Sequence, residues 1–310
     1  MKKISVLVPT YNEESNVVPL SEAITDQFRE NLEDYDYELI FIDNDSEDGT
    51  RDRIRELCAS DPRIKAIFNA KNYGQFSSPY YGLLQATGDC VISMCADFQD
   101  PVELIPKYVE EWENGYKIVL GQKASSKESR IKYAMRNIYY KFLRKNSDVE
   151  FIEHVTGSGL YDRDFIETLR KIDEPRPFLR GIVAEMGYKI KLVQYEQPKR
   201  RSGKSSNGIF GYYDAGMQGI TSYTKFGVRL AVFLGVVFTL TSIAVAVGLG
   251  IYKIMNWNTF YITGWAFNTV IFIAVSLQLL FIGIVGEYVL NINSRMKKRP
   301  LVIESERINF

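Results

Sequence analysis

Short, continuous runs of apolar residues alternate with amphipathic segments along the first part of the chain. The runs predicted as strands lie at residues 4–10, 37–43, 64–69, 90–96 and 118–120. The segments between them carry apolar residues at helical spacing and are predicted as helices. Strands that are apolar throughout are typical of a parallel sheet covered by helices on both faces. The pattern therefore predicts an α/β fold with a mostly parallel sheet, which binds ligands beyond the carboxyl ends of its strands.

Two long uncharged stretches follow in the last third of the chain. Residues 230–252 contain no charged side chain, and a second uncharged stretch is densest in apolar residues at 262–286. Each can cross a hydrocarbon core of about 30 Å as a helix that rises about 1.5 Å per residue. We predict a C-terminal two-helix transmembrane hairpin. The alternative, a pair of buried core helices, is disfavoured because two such stretches in succession are rare in soluble domains.

Basic residues flank the predicted hairpin on its outer sides. They are Lys225 and Arg229 before the first span and Arg295, Lys297, Lys298 and Arg299 after the second, whereas the link between the spans carries only Lys253. Because short cytoplasmic segments are enriched in Lys and Arg, both termini are predicted to face the cytoplasm, with the chain in the plasma (inner) membrane. The predicted units are a soluble cytoplasmic domain, a juxtamembrane interfacial region, the two spans and a basic cytoplasmic tail, at 1–207, 208–229, 230–290 and 291–310.

A basic amphipathic segment precedes the hairpin. Residues 131–145 combine one apolar helical face with five Lys and Arg residues. This pattern suits a helix that lies on an anionic membrane surface. It suits equally a helix that packs on the soluble domain and exposes its basic face.

The composition narrows the classes of function. The 38 Lys and Arg residues balance 38 Asp and Glu residues, and a net charge of zero argues against a nucleic-acid partner. Three cysteines, Cys58, Cys90 and Cys95, are too few for a disulfide framework and indicate a reducing compartment. The single histidine, His154, excludes a zinc site that needs two or more histidines and is read as structural.

Polar side chains follow two of the predicted strands. Asp97 leaves the fourth strand and Gln99 comes two residues later, so their oxygens could hold a hard cation such as Mg²⁺. The alternative is an ordinary turn in which Asp100 caps the next helix. Asp43 ends the second strand and opens a polar run, 44–50, that can accept hydrogen bonds from a nucleobase or ribose. An ordinary turn is the alternative there too.

An ordered set of short sequences carries a resemblance to a known family. VPTYNEESN, FIDNDSEDGT and ADFQDP stand at three strand ends, and KNYGQ, TGSGLYDRDF, RPFLRG and KRRSGKSSN also occur in the expected places. Together they resemble the inverting family 2 nucleotide-sugar glycosyltransferases, which have the GT-A fold. The closer resemblance is to the branch that acts on polyprenyl phosphates, the dolichyl-phosphate mannosyltransferases and GtrB-type glucosyltransferases. It covers nearly the whole chain, including both spans.

The resemblance implies roles for individual residues of this chain. The implied groups are the nucleotide pocket (Pro9, Tyr11 and Glu13), the base contact (Asp43), the ligands of Mg²⁺ or Mn²⁺ (Asp97 and Gln99) and the phosphate contacts (Arg130, Arg200, Lys204 and Ser205). Asp97, Arg200 and Lys204 are the residues expected to be catalytic.

Two positions depart from the family's pattern. Many relatives carry an acid at the position of Cys95, so the metal ligands here reduce to Asp97 and Gln99. Gly157 stands where some GtrB-type relatives carry an Asp that has been proposed as a base. Its absence is compatible with activity, because a phosphate monoester with a second pKa of about 6 is already mostly dianionic near neutral pH.

These inferences predict a membrane-bound glycosyltransferase. It would move one sugar, with inversion, from a nucleotide-sugar such as UDP-glucose to a polyprenyl phosphate such as undecaprenyl phosphate. GDP-mannose or an amino-sugar donor is an alternative, as is a non-catalytic membrane scaffold that retains the fold. A processive polysaccharide synthase is disfavoured because the chain lacks a Q-x-x-R-W-type motif. Small residues within the spans, Gly235, Gly248 and Gly250, permit helix association and leave a homo-oligomer open.

Overall fold

A computed structural model of the 310-residue chain describes residues 1–125, 130–147, 149–152, 155–172, 174–198, 209–255, 264–297 and 299–310. The elements in chain order are β1 (Lys2–Thr10), α1 (Glu14–Asn31), β2 (Tyr35–Asp43), α2 (Thr50–Ser60), β3 (Ile64–Asn69), α3 (Gly74–Gln85), β4 (Cys90–Ser93), α4 (Leu104–Glu113), β5 (Ile118–Ser125), α5 (Arg130–Asn146), β6 (Val155–Asp162), α6 (Arg163–Lys171), α7 (Leu179–Glu185), β7 (Ile190–Glu196), α8 (Ile209–Tyr223), α9 (Phe226–Met255), α10 (Gly264–Met296) and β8 (Glu304–Ile308).

One sheet runs through the part of the chain that is described, with its strands in the order β7-β5-β6-β4-β1-β2-β3-β8. The neighbours β4-β1-β2-β3 are all parallel, as are β5 and β7, which confirms the predicted mostly parallel sheet. Strand β6 is antiparallel to both of its neighbours, and β8 is antiparallel to β3. Because Thr10 pairs with Asp43 and Leu7 with Ser93, the carboxyl ends of β1, β2 and β4 meet at one edge.

Helices cover both faces of this sheet. Successive residues of a strand point to opposite faces, so an apolar strand supplies two cores. On β1, Val6 and Val8 belong to a core shared with α1, α2 and α4, whereas Leu7 belongs to a second core shared with α3, α6 and α7. All three side chains are fully buried. The sheet, these six helices and α5 are together called the sheet domain below.

The two C-terminal helices expose their apolar surface. Phe226–Tyr252 in α9 and Val270–Ser294 in α10 are long and apolar enough to cross a membrane, and their apolar windows are wholly unburied. A core helix of a soluble protein would be mostly buried, so this exposure argues against that alternative. The predicted spans at 230–252 and 262–286 fall within α9 and α10, apart from residues 262–263, which lie outside the described residues.

Helix α8 connects the sheet domain to these two helices through aromatic and polar contacts. The ring of Tyr223 lies 5.4 Å from that of Phe151 and 6.1 Å from that of Phe178, which both precede it in the sheet domain. On the other side, Asn291 of α10 donates to the hydroxyls of Thr221 and Ser222 at 3.0 and 3.2 Å. Both sets of contacts fix α8 between the sheet and α10.

The basic amphipathic segment forms α5 and ends beside the start of α9. The ring of Phe142 meets that of Phe226 edge to face, with centroids 5.0 Å apart. The basic side chains nearby, Lys141, Arg144 and Lys145, are exposed. Phe142 thus packs on the start of α9, whereas Ile138 of the same helix is 68% exposed. The structure therefore leaves both alternatives from the sequence open.

Residues 291–310, expected as a basic tail, contain the end of α10 and an additional strand. Strand β8 pairs with β3 at the edge of the sheet, and the N–H of Ala70 donates to the carbonyl of Ile303 at 2.9 Å. Arg55 of α2 forms a salt bridge with Glu306 at 2.8 Å. The segment after α10 thus covers an edge that would otherwise expose unpaired backbone groups.

Candidate active site

The loops that follow β1 and β2 are hydrogen-bonded to each other. The N–H of Asn12 donates to Oγ of Ser46 at 2.9 Å, and the N–H of Glu47 donates to Oδ1 of Asn12 at 2.8 Å. The N–H of Glu13 donates to Oγ1 of Thr50 at 2.8 Å. These contacts hold the two loops as one wall at the carboxyl edge of the sheet.

Three residues predicted to line a nucleotide pocket lie along this wall. Pro9 is the last residue but one of β1, and Pro9, Tyr11 and Glu13 are all half-buried. Oε2 of Glu13 accepts a hydrogen bond from the side-chain amide of Asn16 at 2.5 Å. The structure thus brings the three residues together on the edge that also carries Asp43.

Asp43 is fully buried, and protein groups donate to both of its oxygens. Oδ1 accepts from the N–H of Ser46 at 3.1 Å and from Nε of Arg51 at 2.7 Å. Oδ2 accepts from the hydroxyl of Ser46 and from that of Thr10 at 3.3 Å. A carboxylate offers about four acceptor positions. A nucleobase would therefore have to displace one of these donors to bind Asp43, and the predicted base contact remains a prediction.

An asparagine network that the sequence analysis did not identify fixes the neighbouring loop. The side chain of Asn44 donates to Oδ1 of Asn72 at 2.8 Å and accepts from Asn69 at 3.0 Å and from the N–H of Tyr73 at 2.8 Å. It ties the end of β2 to the loop that contains the KNYGQ sequence. In the sequence, the only indication of this network is that asparagines stand at the ends of two neighbouring strands.

The loop at 95–100, after β4, carries the two predicted metal ligands. Asp97 is 4% exposed, and its Oδ1 accepts from the N–H of Gln99 at 3.1 Å. Asp100 is 1% exposed and accepts from the N–H of Cys95 at 3.1 Å and from the hydroxyl of Tyr195 at 2.7 Å. The N-cap of α4 is Glu103, so the alternative in which Asp100 caps this helix is wrong. Asp100 instead joins the loop to β7.

The donor set of this loop fits a cation that is shared with a substrate. The described residues hold no group of three or more His, Cys, Asp or Glu side chains able to bind a metal ion on their own. The carboxylate of Asp97 and the amide oxygen of Gln99 are hard ligands, and Mg²⁺ typically completes its coordination with waters and substrate phosphate oxygens. A cation bridging to a diphosphate therefore suits these residues.

Cys95 differs from these oxygen donors in its chemistry. The charges of Asp100 and, to a lesser extent, Asp97 raise the pKa of the Cys95 thiol well above its ordinary value. The group is a neutral thiol near neutral pH, and neutral sulfur is a weak ligand for hard cations. Asp97 and Gln99 are thus the better ligands in this loop.

Gly157, on β6, has a backbone conformation that L-amino acids rarely adopt. Its φ is +93°, and a Cβ added there would meet no atom within 4 Å. A larger side chain would have space but would strain the backbone. At the other end of the same strand, Asp162 caps α6 by accepting from the N–H of Asp164 at 2.9 Å.

Some residues named from the sequence are not located by the structure. Arg200, Lys204, Ser205 and His154 lie outside the described residues. Arg130 is the first residue of α5, and only its backbone is described. Their roles remain predictions.

Comparison with known proteins identifies the family to which this chain belongs. The model of the family described as "Glycosyl transferase family 2" matches residues 5–183, which are more than half of the chain and include Pro9, Asp43 and Asp97. The chain belongs to glycosyl transferase family 2. It is therefore a glycosyltransferase, and the family resemblance seen in the sequence is confirmed.

Relatives within glycosyl transferase family 2 extend the match beyond the sheet domain. The prophage bactoprenol glucosyl transferase homolog of Escherichia coli (strain K12) is 31% identical over 306 residues, covering 97% of this chain and 98% of that protein. The bactoprenol glucosyl transferase of Shigella phage SfX is 30% identical over 306 residues, covering 98% and 99%. These alignments include α9 and α10.

A solved structure supports the GT-A fold of this family 2 member. Glucosyl-3-phosphoglycerate synthase from Mycobacterium tuberculosis, solved with Mn²⁺, UDP and glucosyl-3-phosphoglycerate, superposes with a TM-score of 0.51 over 71% of this chain and 78% of its own. The two sequences are 17% identical. This similarity concerns the fold alone and confirms the predicted fold class.

Proposed function

We propose that this glycosyltransferase moves one sugar from a nucleoside-diphosphate sugar to a polyprenyl phosphate at the cytoplasmic face of a membrane. The observation that carries the proposal is the length of the match to the bactoprenol glucosyl transferases, which takes in the sheet domain and both apolar helices. The phosphate of a lipid acceptor lies at the membrane surface, and a membrane hairpin would hold the sheet domain there. Glucose is the proposed sugar because these relatives are named glucosyl transferases. UDP as its carrier follows the family resemblance.

The carboxyl edge of the sheet supplies the donor site in this proposal. Pro9, Tyr11 and Glu13 line the nucleotide pocket next to Asp43, while Asp97 and Gln99 hold a divalent cation. A bound Mg²⁺ or Mn²⁺ would neutralise charge on the leaving diphosphate. The oxygen donors of the 95–100 loop and the Mn²⁺ in the structural relative support this assignment. Either cation satisfies the same ligands.

The acceptor accounts for the absence of a base at Gly157. A phosphate monoester is mostly dianionic near neutral pH, because its second pKa is about 6. Its oxygen can attack the anomeric carbon from the face opposite the diphosphate without losing a proton, and the configuration inverts. Positioning and charge neutralisation are then the main demands on the protein. Arg200 and Lys204 are proposed to contribute charge, with Ser205 and Arg130 contacting phosphate.

The proposed membrane arrangement follows the charges around the two helices. Basic residues precede α9 and follow α10, so the sheet domain and both termini would lie in the cytoplasm. The predicted catalytic unit at 1–207 would then face the pool of nucleotide-sugars. Tyr223 and its aromatic neighbours would set the distance between this unit and the membrane.

Transfer of label from a nucleotide-sugar to lipid tests the proposal. The full chain, in nanodiscs with undecaprenyl phosphate, is given radiolabelled UDP- and GDP-sugars with Mg²⁺, Mn²⁺ or EDTA, and label entering the organic phase is measured. We expect metal-dependent transfer from one donor, and a loss of at least roughly 100-fold in Asp97→Asn. The matched control is Asp89→Asn, because Asp89 lies just before β4, at the end opposite Asp97, where its Oδ2 accepts from the N–H of Lys3.

The alternatives give different results in the same assay. Protein that binds UDP but labels no lipid would indicate another acceptor. Protein that neither binds UDP nor transfers sugar would contradict the enzymatic role and favour a scaffold. Transfer that is unchanged by EDTA and by Asp97→Asn would refute the proposed cation site.

A further inference from the structure

The loop at 95–100 contains a backbone conformation that needs support from outside the loop. Phe98, between Asp97 and Gln99, has a φ of +59°, in the left-handed region that residues other than glycine seldom occupy. Such a conformation persists where surrounding contacts determine it. Contacts that hold this loop therefore also decide where Asp97 and Gln99 lie.

Asp100 makes two of these contacts, one inside the loop and one outside. Its Oδ2 accepts from the N–H of Cys95 at 3.1 Å and so links the last residue of the loop to the first. Its Oδ1 accepts from the hydroxyl of Tyr195 at 2.7 Å. Asp100 is 1% exposed and Tyr195 7% exposed, so water contributes little to either bond. Hydrogen bonds to a carboxylate are roughly twice as strong as those between neutral groups.

Tyr195 comes from a different part of the sheet. It lies on β7, where it pairs with Lys123 of the parallel strand β5. Strands β5 and β6 lie between β7 and β4 in the sheet. Its ring passes over Gly121, where an added Cβ would come within 3.0 Å of Cε1 of Tyr195 and closer still to the hydroxyl of Tyr108. The absence of a side chain at Gly121 leaves the space through which Tyr195 reaches Asp100.

We propose that Tyr195 is a positioning residue for the divalent cation, acting through Asp100 on the 95–100 loop. The hydroxyl of Tyr195 holds the Asp100 carboxylate, which fixes the loop in the conformation that presents Asp97 and Gln99 to the cation. The inference rests on the proposed function, because it concerns the same cation. It adds a residue that lies 98 positions away from Asp97 in the sequence and does not itself contact the cation.

The variant Tyr195→Phe tests this inference, because it removes the hydroxyl and keeps the ring. The matched control is Tyr188→Phe. The hydroxyl of Tyr188 lies 2.9 Å from Oγ1 of Thr168, far along the chain from the 95–100 loop. Binding of Mn²⁺ to the full chain in the presence of UDP is measured from the loss of the EPR signal of free Mn²⁺. Hydrogen exchange of the loop's backbone N–H groups, among them those of Cys95 and Gln99, is measured without metal.

We expect Tyr195→Phe to weaken Mn²⁺ binding roughly tenfold and to speed exchange in the 95–100 loop, with Tyr188→Phe equal to wild type in both. Unchanged Mn²⁺ affinity and exchange in Tyr195→Phe would overturn the inference. So would a lower melting temperature with unchanged affinity, because that marks a purely structural role. If the wild-type protein binds no Mn²⁺ in the presence of UDP, the proposed function is refuted instead. The positioning role is then tested separately by hydrogen exchange, and it is refuted if exchange in the 95–100 loop is the same in Tyr195→Phe as in wild type.

Discussion

Nε of Arg51 donates to Oδ1 of Asp43 at 2.7 Å, and Nη2 of the same guanidinium donates to the carbonyl of Asn69 at 2.6 Å. Arg51 is the second residue of α2, Asp43 the last of β2 and Asn69 the last of β3. One side chain thus joins three elements where they end or begin at the carboxyl edge. The Asp43 carboxylate is fully buried and forms an ion pair with Arg51.

Replacing Arg51 with Met should destabilise the protein and weaken its binding of UDP. Removal of one partner from a buried ion pair leaves the other charge uncompensated, and we expect a loss of about 2–3 kcal/mol in the free energy of unfolding. Chemical unfolding and a calorimetric titration with UDP measure the two effects. The control is Arg53→Met on the same helix, because Arg53 pairs with Glu56 where both side chains are at least half exposed. Its effect should stay within about 0.5 kcal/mol, and equal losses in the two variants would contradict this account.

The apolar strands explain why much of this edge could be predicted from the sequence. The runs at 4–10, 37–43 and 64–69 match β1, β2 and β3 within two residues at each end. A buried parallel strand must be apolar along its length, and the first polar side chain after it marks the carboxyl edge. This is why Asp43 was found from the pattern alone.

The partners of these residues could not be predicted in the same way. Arg51 lies on helix α2, and the spacing of apolar residues along this helix does not indicate that the side chain of Arg51 contacts Asp43. Tyr195 is 95 residues from Asp100, and the two side chains meet although strands β5 and β6 lie between β7 and β4 in the sheet. Strand β8 follows a basic stretch, and three of its five residues are charged, so its sequence resembles a solvated tail.

Replacing Cys95 with Asp should strengthen binding of the divalent cation. The thiol is neutral near neutral pH and contributes little to a hard cation, whereas a carboxylate would add an anionic oxygen next to Asp97. We expect the concentration of Mn²⁺ or Mg²⁺ that gives half-maximal transfer to fall several-fold. Cys95→Asn is the control, because it has the shape of Asp without the charge. An equal shift in both variants would show that size rather than charge is responsible.

The salt bridge between Arg55 and Glu306 should hold β8 on the edge of the sheet. Both side chains are about 40% exposed, so the pair is worth only about 0.5–1 kcal/mol. Glu306→Lys should replace attraction by repulsion and speed hydrogen exchange of the backbone N–H groups shared by β3 and β8. Combining it with Arg55→Glu should restore slow exchange. Failure of the double variant to recover would mean that the charges do not hold the strand.

Glu38 should make the stability of the sheet domain depend on pH in the acidic range. It lies on β2, 1% exposed, with Lys65 at 2.8 Å and Lys3 at 3.0 Å, and it accepts from the hydroxyl of Ser5 at 2.6 Å. Burial alone would raise the pKa of its carboxyl. Hydrogen bonds from Lys65, Ser5, the N–H of Thr87 and Lys3 outweigh burial and lower the pKa from 4.5 to about 2.

A carboxyl whose pKa is lower in the folded state binds fewer protons there than in the unfolded state. Its stabilising contribution is complete above pH 4.5 and is lost as the pH falls towards 2. The shift corresponds to a free energy on the order of 3 kcal/mol. The free energy of unfolding is measured for the full chain in non-ionic detergent, for wild type and for Glu38→Gln. The difference between the two free energies measures this contribution. We expect the difference to be constant from pH 7 to about 5 and to shrink at pH 3. A difference that stays the same at pH 3 would show that the ionised carboxylate is not its source.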